Sequence, residues 1–239
     1  MSARVSIATV AHAAGVSAAS VSNAYNRPKR LSAEVRERCE RALSALQALG
    51  AEIRDVSLPS TEYAIPVYYI IAPAEASSNL ARYDGVRYGR RILRPSLAEM
   101  YEATRSSGFG PEVTRRILLG TYVLSAGYYD AYYRKAMDVR ALIASELRNA
   151  FASGIDLLFT PTTPTTAFAL GAKTADPYEM YMSDIFTVTA NLAGIPALSL
   201  PIGMIDGLPI GGQFLGPHFA ERRVLAAAYA LEQSLGDAS

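Results

Sequence analysis

The chain of 239 residues has no tryptophan, one cysteine and two histidines. A lone cysteine, Cys39, excludes a disulfide framework, and with His12 and His218 it makes no plausible metal cluster. So few histidines also leave a Ser–His–acid triad poorly supported. Lysine is scarce: Lys29, Lys135 and Lys173 are three among 23 basic residues, the rest being arginine. No apolar run is long and charge-free enough to span a bilayer, so no membrane partner is expected. MSARVSIATVA lacks a long apolar signal core, which predicts a cytoplasmic, reducing home. Internal repeats and low-complexity tracts are also missing.

What is present is apolar and unevenly charged. Hydrophobic residues make up 50% of the chain, enough for a sizeable core. Residues 1–50 hold 7 Lys+Arg against 3 Asp+Glu, a net of +4. Residues 51–239 hold 16 against 19, a net of −3. A basic head on a mildly acidic body points to an anionic partner for the head.

Caps and breakers divide the head, residues 1–49, into three helices. Ser6 caps Ile7 to Ala14, Ser17 caps Ala18 to Tyr25, and Ser32 caps Ala33 to Leu49, which Gly50 closes. Ala11, Gly15 and Val21 fall where a helix-turn-helix needs a small residue, a turn glycine and a core aliphatic. A plain three-helix cap would carry the same pattern. No Gly/Ser/Pro linker separates this head from the body, residues 50–239, so the joint falls inside the third helix.

The body alternates strands and helices, the mark of an α/β domain with a central sheet. Ala51 to Val56, Ile155 to Thr160, Ala197 to Pro201 and Pro209 to Phe214 read as strands. A long helix from Thr61 to Arg82 carries Pro66 and Pro73. Ser96 caps a short one, another starts at Asp176-Pro177 and closes over Asn191 to Gly194, and Phe219 to Leu235 is terminal. PTTPTTAFALGAK reads as loop, because proline cannot join a ladder and threonine bonds locally. At the centre lies RRILLGTYVLSAGYYDAYYRKAMDVR, Arg115 to Arg140, with apolar residues and tyrosines at helical spacing and Pro111 suited to its first turn. It reads as one long core helix with a polar rim. Gly120 and Ser125-Ala126-Gly127 would admit a close backbone or a bend.

Two resemblances sharpen this. SIATVAHAAGVSAASVSNAYNRP resembles the headpiece of the lactose-repressor family of transcription regulators, over about residues 4–45. That resemblance implies double-stranded DNA as a partner for residues 4–30. Ala18, Ala19 and Asn23 would read bases, Ser17, Ser20 and Ser22 would face phosphates, and Arg27, Lys29 and Arg30 would add charge. The hinge helix and sugar-sensing domain of that family have no counterpart in this chain.

From about Leu46 to Gln233 the chain resembles the A subunits of glutamyl-tRNA(Gln) amidotransferases, in the amidase signature family. LPSTEYAIPVYYIIAPAEASSNLARYDGVRYG, the central segment, FTPTTPTTAF, SDIFTVTANLAGIPALSLPIG and LPIGGQFLGPHF carry it. Thr189, Gly212 and Arg91 to Pro95 depart from the family's usual wording. The resemblance implies a partial amidase-signature fold: a mixed sheet flanked by helices behind the small all-α head. The family's activity is glutamine-dependent amidation of misacylated Glu-tRNA(Gln), with other subunits and tRNA as partners. ATP and Mg serve in a partner subunit, and no cofactor is expected on this chain.

The family's nucleophile set is a Ser–cis-Ser–Lys triad on a Gly/Ser-rich loop. None of the three lysines lies beside such a loop, and Ser106-Ser107-Gly108 stands where the family has an ordinary turn. No catalytic residue is therefore assigned. The resemblance does imply part of a glutamine pocket. Arg116 would take the carboxylate and Asp184 the ammonium, with Tyr88, Tyr128 and Tyr129 as weaker candidates. On the residues alone, Arg116 is one of two adjacent arginines on a helix surface, and Asp184 could cap a helix starting at Ile185. The expectations are a truncated amidotransferase chain that is inactive alone, a DNA-binding module, or a non-functional chimera.

Overall fold

The computed structural model describes the backbone of residues 20–23 and all of residues 31–173 and 180–236. It divides into two compact units, residues 1–65 with 140–239, and residues 66–139.

In the first unit, α1 (Ala33–Ala48) begins as its sequence demands. The Ser32 hydroxyl accepts the Val35 N–H at 3.3 Å, filling one of the orphan donors of the first turn. Gly50, at φ +96°, ends it. Val35, Cys39, Ala42, Leu43 and Leu46 follow at helical spacing and are all buried. They pack with Leu157, Phe159, Leu200, Ile202, Ile210, Phe214 and Leu231 into one core. The helix meant to join head to body is thus a core element of the sheet unit.

Among the described residues the sheet has five strands: β1 (Ser20–Asn23), β2 (Glu52–Asp55), β3 (Leu157–Pro161), β4 (Ala197–Ile205) and β5 (Leu208–Leu215), in the order β2-β1-β3-β5-β4. β1 runs parallel to both neighbours, whereas β5 is antiparallel to β3 and to β4. β3 is buried at every residue, as its unbroken apolar run requires. Phe159 and Phe214, paired across β3 and β5 with ring centroids 5.0 Å apart, are fully buried. Helices α6 (Val188–Ala193) and α7 (Glu221–Gly236) complete this unit, together with most of α5 (Lys135–Ala152). Arg140 Nε donates to the Leu192 carbonyl at 2.8 Å, satisfying an acceptor at the end of α6.

Strand β1 overturns the expected recognition helix. Ser20, Ser22 and Asn23 lie in a strand paired on both sides, not on a helix from Ala18 to Tyr25. Serine, valine and asparagine are indifferent helix formers, and a place between two strands satisfies backbone groups on both sides. Ser17, Ala18, Ala19, Arg27, Lys29 and Arg30 lie outside the described residues, as do the first expected helix and the start at Asp176-Pro177. The DNA-reading surface has no recognition helix to rest on at Ser20–Asn23.

β4 and β5 run further than proline punctuation suggests. They meet at Asp206-Gly207, where both residues have positive φ, the two-residue turn that matches strand twist. Pro201 does not stop β4, because that strand lies at the outer edge of the described sheet and takes up a register shift between Pro201 and Gly203.

The second unit is helical: α2 (Ala64–Leu80, entering from the first unit), α3 (Leu97–Gly108) and α4 (Pro111–Leu124). Ser96 and Glu99 form a capping box on α3. Pro111 opens α4, as expected. The central segment is not one helix. Ser125 is extended, Gly127 takes φ +88°, and Tyr129–Arg134 form a π-helical turn before α5 begins. Its tyrosines are not core: Tyr122, Tyr128, Tyr129 and Tyr132 are all exposed.

Gly120 meets the expectation of a close backbone. A β-carbon there would lie 2.0 Å from the Pro73 carbonyl oxygen of α2. Gly120→Ala should therefore destabilise the protein by about 1–3 kcal/mol, since backbone must move to admit the methyl. Gly108→Ala, where a methyl meets open space, should be neutral or stabilising. Urea denaturation of the two variants checks the contrast.

Candidate functional site

In the second unit the site residues gather on α4 and the turn after it. Arg116 Nε donates to Glu112 Oε1 at 2.8 Å, one helical turn back, and Arg115 takes the other carboxylate oxygen at 2.7 Å. Hydrogen bonding to Arg116 is the main reason that the Glu112 carboxyl is held below its usual range. The reciprocal bond to Glu112 raises Arg116, with a further contribution from the Tyr68 side chain on α2. Arg116 is therefore a fixed guanidinium, braced by an acid on its own helix and a phenol on the next. The sequence around Tyr68, VYYII, reads as plain helix core and carries no sign of this role.

At the end of α4 and in the turn after it the tyrosines stack. Tyr122 and Tyr128 have ring centroids 4.4 Å apart, Tyr128 and Tyr132 6.0 Å, and Tyr129 and Tyr133 5.3 Å. The Tyr133 hydroxyl donates to Glu75 Oε1 at 3.1 Å. The π-turn places Tyr128 and Tyr132, and Tyr129 and Tyr133, in register. The hydrogen bond with Tyr128 pushes the Tyr122 phenol up to about 12. Tyr88 stands elsewhere in this unit, in the exposed loop between α2 and α3.

Asp184 belongs to the first unit. It ends a short 3-10 turn, Met182–Asp184, and its carbonyl accepts both the N–H and the hydroxyl of Thr187, each at 3.1 Å. It does not cap a helix at Ile185, since α6 begins at Val188. Its neighbour Ser183 accepts a hydrogen bond from Lys173 Nζ at 2.9 Å, and that ammonium lies 4.1 Å from the centre of the Phe168 ring.

Gln213 holds this segment against the sheet. Its buried amide donates to Thr160 Oγ1 and to the Phe186 carbonyl, each at 2.9 Å, so β5 grips β3 and the chain two residues past Asp184. Thr162 and Ser199 share a 2.6 Å hydroxyl bond, and Thr162 N–H reaches the Gly211 carbonyl, pinning the start of the proline–threonine loop. Nothing in the sequence separates Gln213 from an ordinary polar residue in a strand; only its burial gives it this role.

Ser106 and Ser107 sit in the last turn of α3, where the Ser107 hydroxyl donates to the Thr104 carbonyl at 3.3 Å. Its partner is thus a backbone oxygen and not a lysine. Among the described residues, no group of His, Cys, Asp and Glu could hold a metal ion, and no helix is long and apolar enough to cross a membrane.

Two outcomes follow from these contacts. Gln213→Leu leaves the Phe186 carbonyl without its buried donor and should cost about 1–3 kcal/mol by urea denaturation. Tyr122 should ionise late, near 12, and Tyr128→Phe should bring it back toward about 10. Because its folded value is raised, the Tyr122 contact contributes fully below about pH 10 and is lost as pH rises through about 12. Tyrosinate absorbance, followed with pH, reads both.

Comparison with known proteins fits this geometry. The family model described as Amidase matches residues 13–225. That match starts well inside the segment assigned to a repressor-type head and, with β1 in the sheet, leaves no support for a separate helix-turn-helix. The chain is 60% identical over 213 residues to the A subunit of glutamyl-tRNA(Gln) amidotransferase from Rhizorhabdus wittichii, covering 88% of this chain and 43% of that protein. It is 59% identical over 201 residues to the corresponding protein from Moorella thermoacetica, covering 84% and 41%. The crystal structure of the Thermotoga maritima amidotransferase A subunit superposes with a TM-score of 0.68 at 41% identity, over 91% of this chain and 42% of that one. This chain thus spans less than half the length of the relatives it matches. A mixed sheet in this strand order, flanked by these helices and matched across nine-tenths of its length by solved amidase structures, is a partial amidase-signature fold, and the chain belongs to the amidase family.

Proposed function

We propose that the chain is similar in role to the A subunit of glutamyl-tRNA(Gln) amidotransferase, keeping glutamine-holding groups and lacking the nucleophile set. The observation that carries this is Arg116, a guanidinium on α4 braced by Glu112 and Tyr68. A planar fork fixed from behind leaves donors for a carboxylate, the group glutamine presents. For the ammonium the resemblance offers Asp184, on a segment of the first unit anchored through Gln213. Tyr128 and Tyr129, in the tyrosine stack of the turn after α4, offer further hydroxyls and ring faces. In this reading, ATP and Mg chemistry belongs to a partner protein, and the tRNA is the acceptor of ammonia.

Catalysis by a serine requires a base within hydrogen-bond reach. Ser107 bonds a backbone carbonyl instead. Lys173 and Ser183 do form such a contact, beside Asp184, which makes that pair the rival source of any activity.

The purified chain should release no ammonia from glutamine above blank. Ammonia release abolished by Ser183→Ala would assign the chemistry to the Lys173–Ser183 pair, and release abolished by Ser107→Ala would assign it to α3. Glutamine binding, read by calorimetry, should weaken by about tenfold or more in Arg116→Ala and little in Arg115→Ala, because a charge-assisted bond contributes about 1.5–3 kcal/mol. Equal loss in both variants, or no binding at all, would overturn the pocket assignment.

A further inference from the structure

The loop between α2 and α3 is the most basic stretch of the described chain. Residues 82–94 carry Arg82, Arg87, Arg90, Arg91 and Arg94 against the single acid Asp84. Interleaved with them are Tyr83 and Tyr88, 54% and 71% exposed. The amidase reading uses none of the arginines.

The loop is built rather than slack. Arg91 Nε donates to the Gly85 carbonyl at 2.8 Å, and its other nitrogen reaches the Val86 carbonyl. Arg105, on α3, donates to the carbonyls of Leu80 and Tyr83 at 2.9 and 3.0 Å, and its guanidinium lies 5.0 Å from the Phe109 ring centre. The Ile92 N–H is held by Thr104 Oγ1 at 3.0 Å. Gly85 takes φ +72°, and a β-carbon there would lie 2.4 Å from the Arg90 carbonyl oxygen, so only glycine closes the loop this tightly. Asp84 is turned inward on its own loop, accepting the Val86 N–H at 2.8 Å.

Two arginines thus hold the frame, while the guanidiniums of Arg82, Arg87 and Arg90 make no hydrogen bond or ion pair among the described residues. All three residues line a cleft of about 620 Å³ together with Tyr83 and Tyr88. Unpaired guanidiniums beside exposed phenol rings match a chain that alternates phosphate and aromatic base. Arginine forks fit phosphate oxygens, and a ring face accepts any base without reading its edge. A duplex would offer the phosphates but keep its bases stacked away from Tyr88.

We propose that this loop binds unpaired nucleotides of a single-stranded nucleic acid, with phosphates on Arg82, Arg87 and Arg90 and a base stacked on Tyr88. Apart from Tyr88, which the resemblance also offers to glutamine, the loop shares no residue with that pocket, so the arginine variants and Arg116→Ala let either fail without the other.

Fluorescence anisotropy of the full chain tests it, with short labelled oligoadenylate as RNA and as DNA, a hairpin duplex, and heparin as a polyanion without bases. Single strands should bind at low salt with Kd on the order of micromolar. Combined Arg82→Ala, Arg87→Ala and Arg90→Ala should weaken binding at least about tenfold and reduce the salt slope by about 2. Tyr88→Ala should weaken single-strand binding at least about fivefold and leave heparin binding unchanged. Arg148→Ala, an exposed arginine on α5, should do neither. Equal binding of RNA and DNA assigns recognition to phosphate and base alone, whereas tighter RNA binding adds the 2′-hydroxyl; both support the site. Duplex or heparin binding as tight as single strands, insensitivity to Tyr88→Ala, an equal effect of Arg148→Ala, or no binding at low salt overturns it. Thermal unfolding followed by circular dichroism should be unchanged in the arginine variants, because those side chains bond nothing among the described residues.

Discussion

Burial of the apolar face of α1 against the sheet is the contact on which the first unit depends. Val35, Cys39, Ala42 and Leu46 share one core with Phe159 and Phe214 and with the α7 residues Val224, Ala228 and Leu231. Such burial contributes about 25 cal/mol per Å² of apolar area, well above what a cap or surface ion pair adds. The positions of β3 and β5 follow from it. So does the environment of Gln213, whose neighbour on β5 is Phe214. Its amide works as a clamp because the surrounding apolar packing excludes water, which makes each of its bonds costly to lose.

Much of this was legible as punctuation. Ser32, Ser96, Pro111 and Gly50 mark helix ends that lie where they were expected, because caps act locally and need no tertiary partner. The strand at Leu157–Pro161 was equally plain, being apolar throughout. Two readings failed, each for its own reason. Ser20–Asn23, read as helix from the Ser17 cap and the helix-turn-helix pattern, became a strand, and the tyrosine-rich centre, read from its helical spacing, broke at Ser125–Tyr128. In the first, pairing with two strands outweighed weak propensity. In the second, Gly127 took a left-handed conformation that periodicity does not register.

The candidate site was legible in part and by likeness rather than by pattern. Arg116 has the sequence context of any helical arginine; its bracing by Tyr68 emerges only once α2 and α4 lie side by side. Glu112, at i−4, was in principle readable as a helix pair. Tyr68 was not, because it comes from another helix. Arginine serves three purposes in this chain: Arg105 and Arg91 tie backbone carbonyls, Arg140 closes a helix end, and Arg116 is held with donors to spare. Lysine, with a single ammonium on a flexible stem, would do none of these with the same geometry.

The register shift at Pro201 and Gly203 has a bearing on how crowded copies of this protein behave. β4 is an outer strand of the described sheet, and a straight outer strand offers a row of donors and acceptors onto which another chain can add. Pro201 contributes no N–H to that row, and the irregularity after it bends the ladder out of line. Arg38 lies against Gly203, its δ-carbon 3.0 Å from where a β-carbon would be, so a charged side chain stands at the same spot. An imperfect, charged margin of this kind discourages strand-by-strand growth into fibrils while leaving the hydrogen bonds to β5 in place.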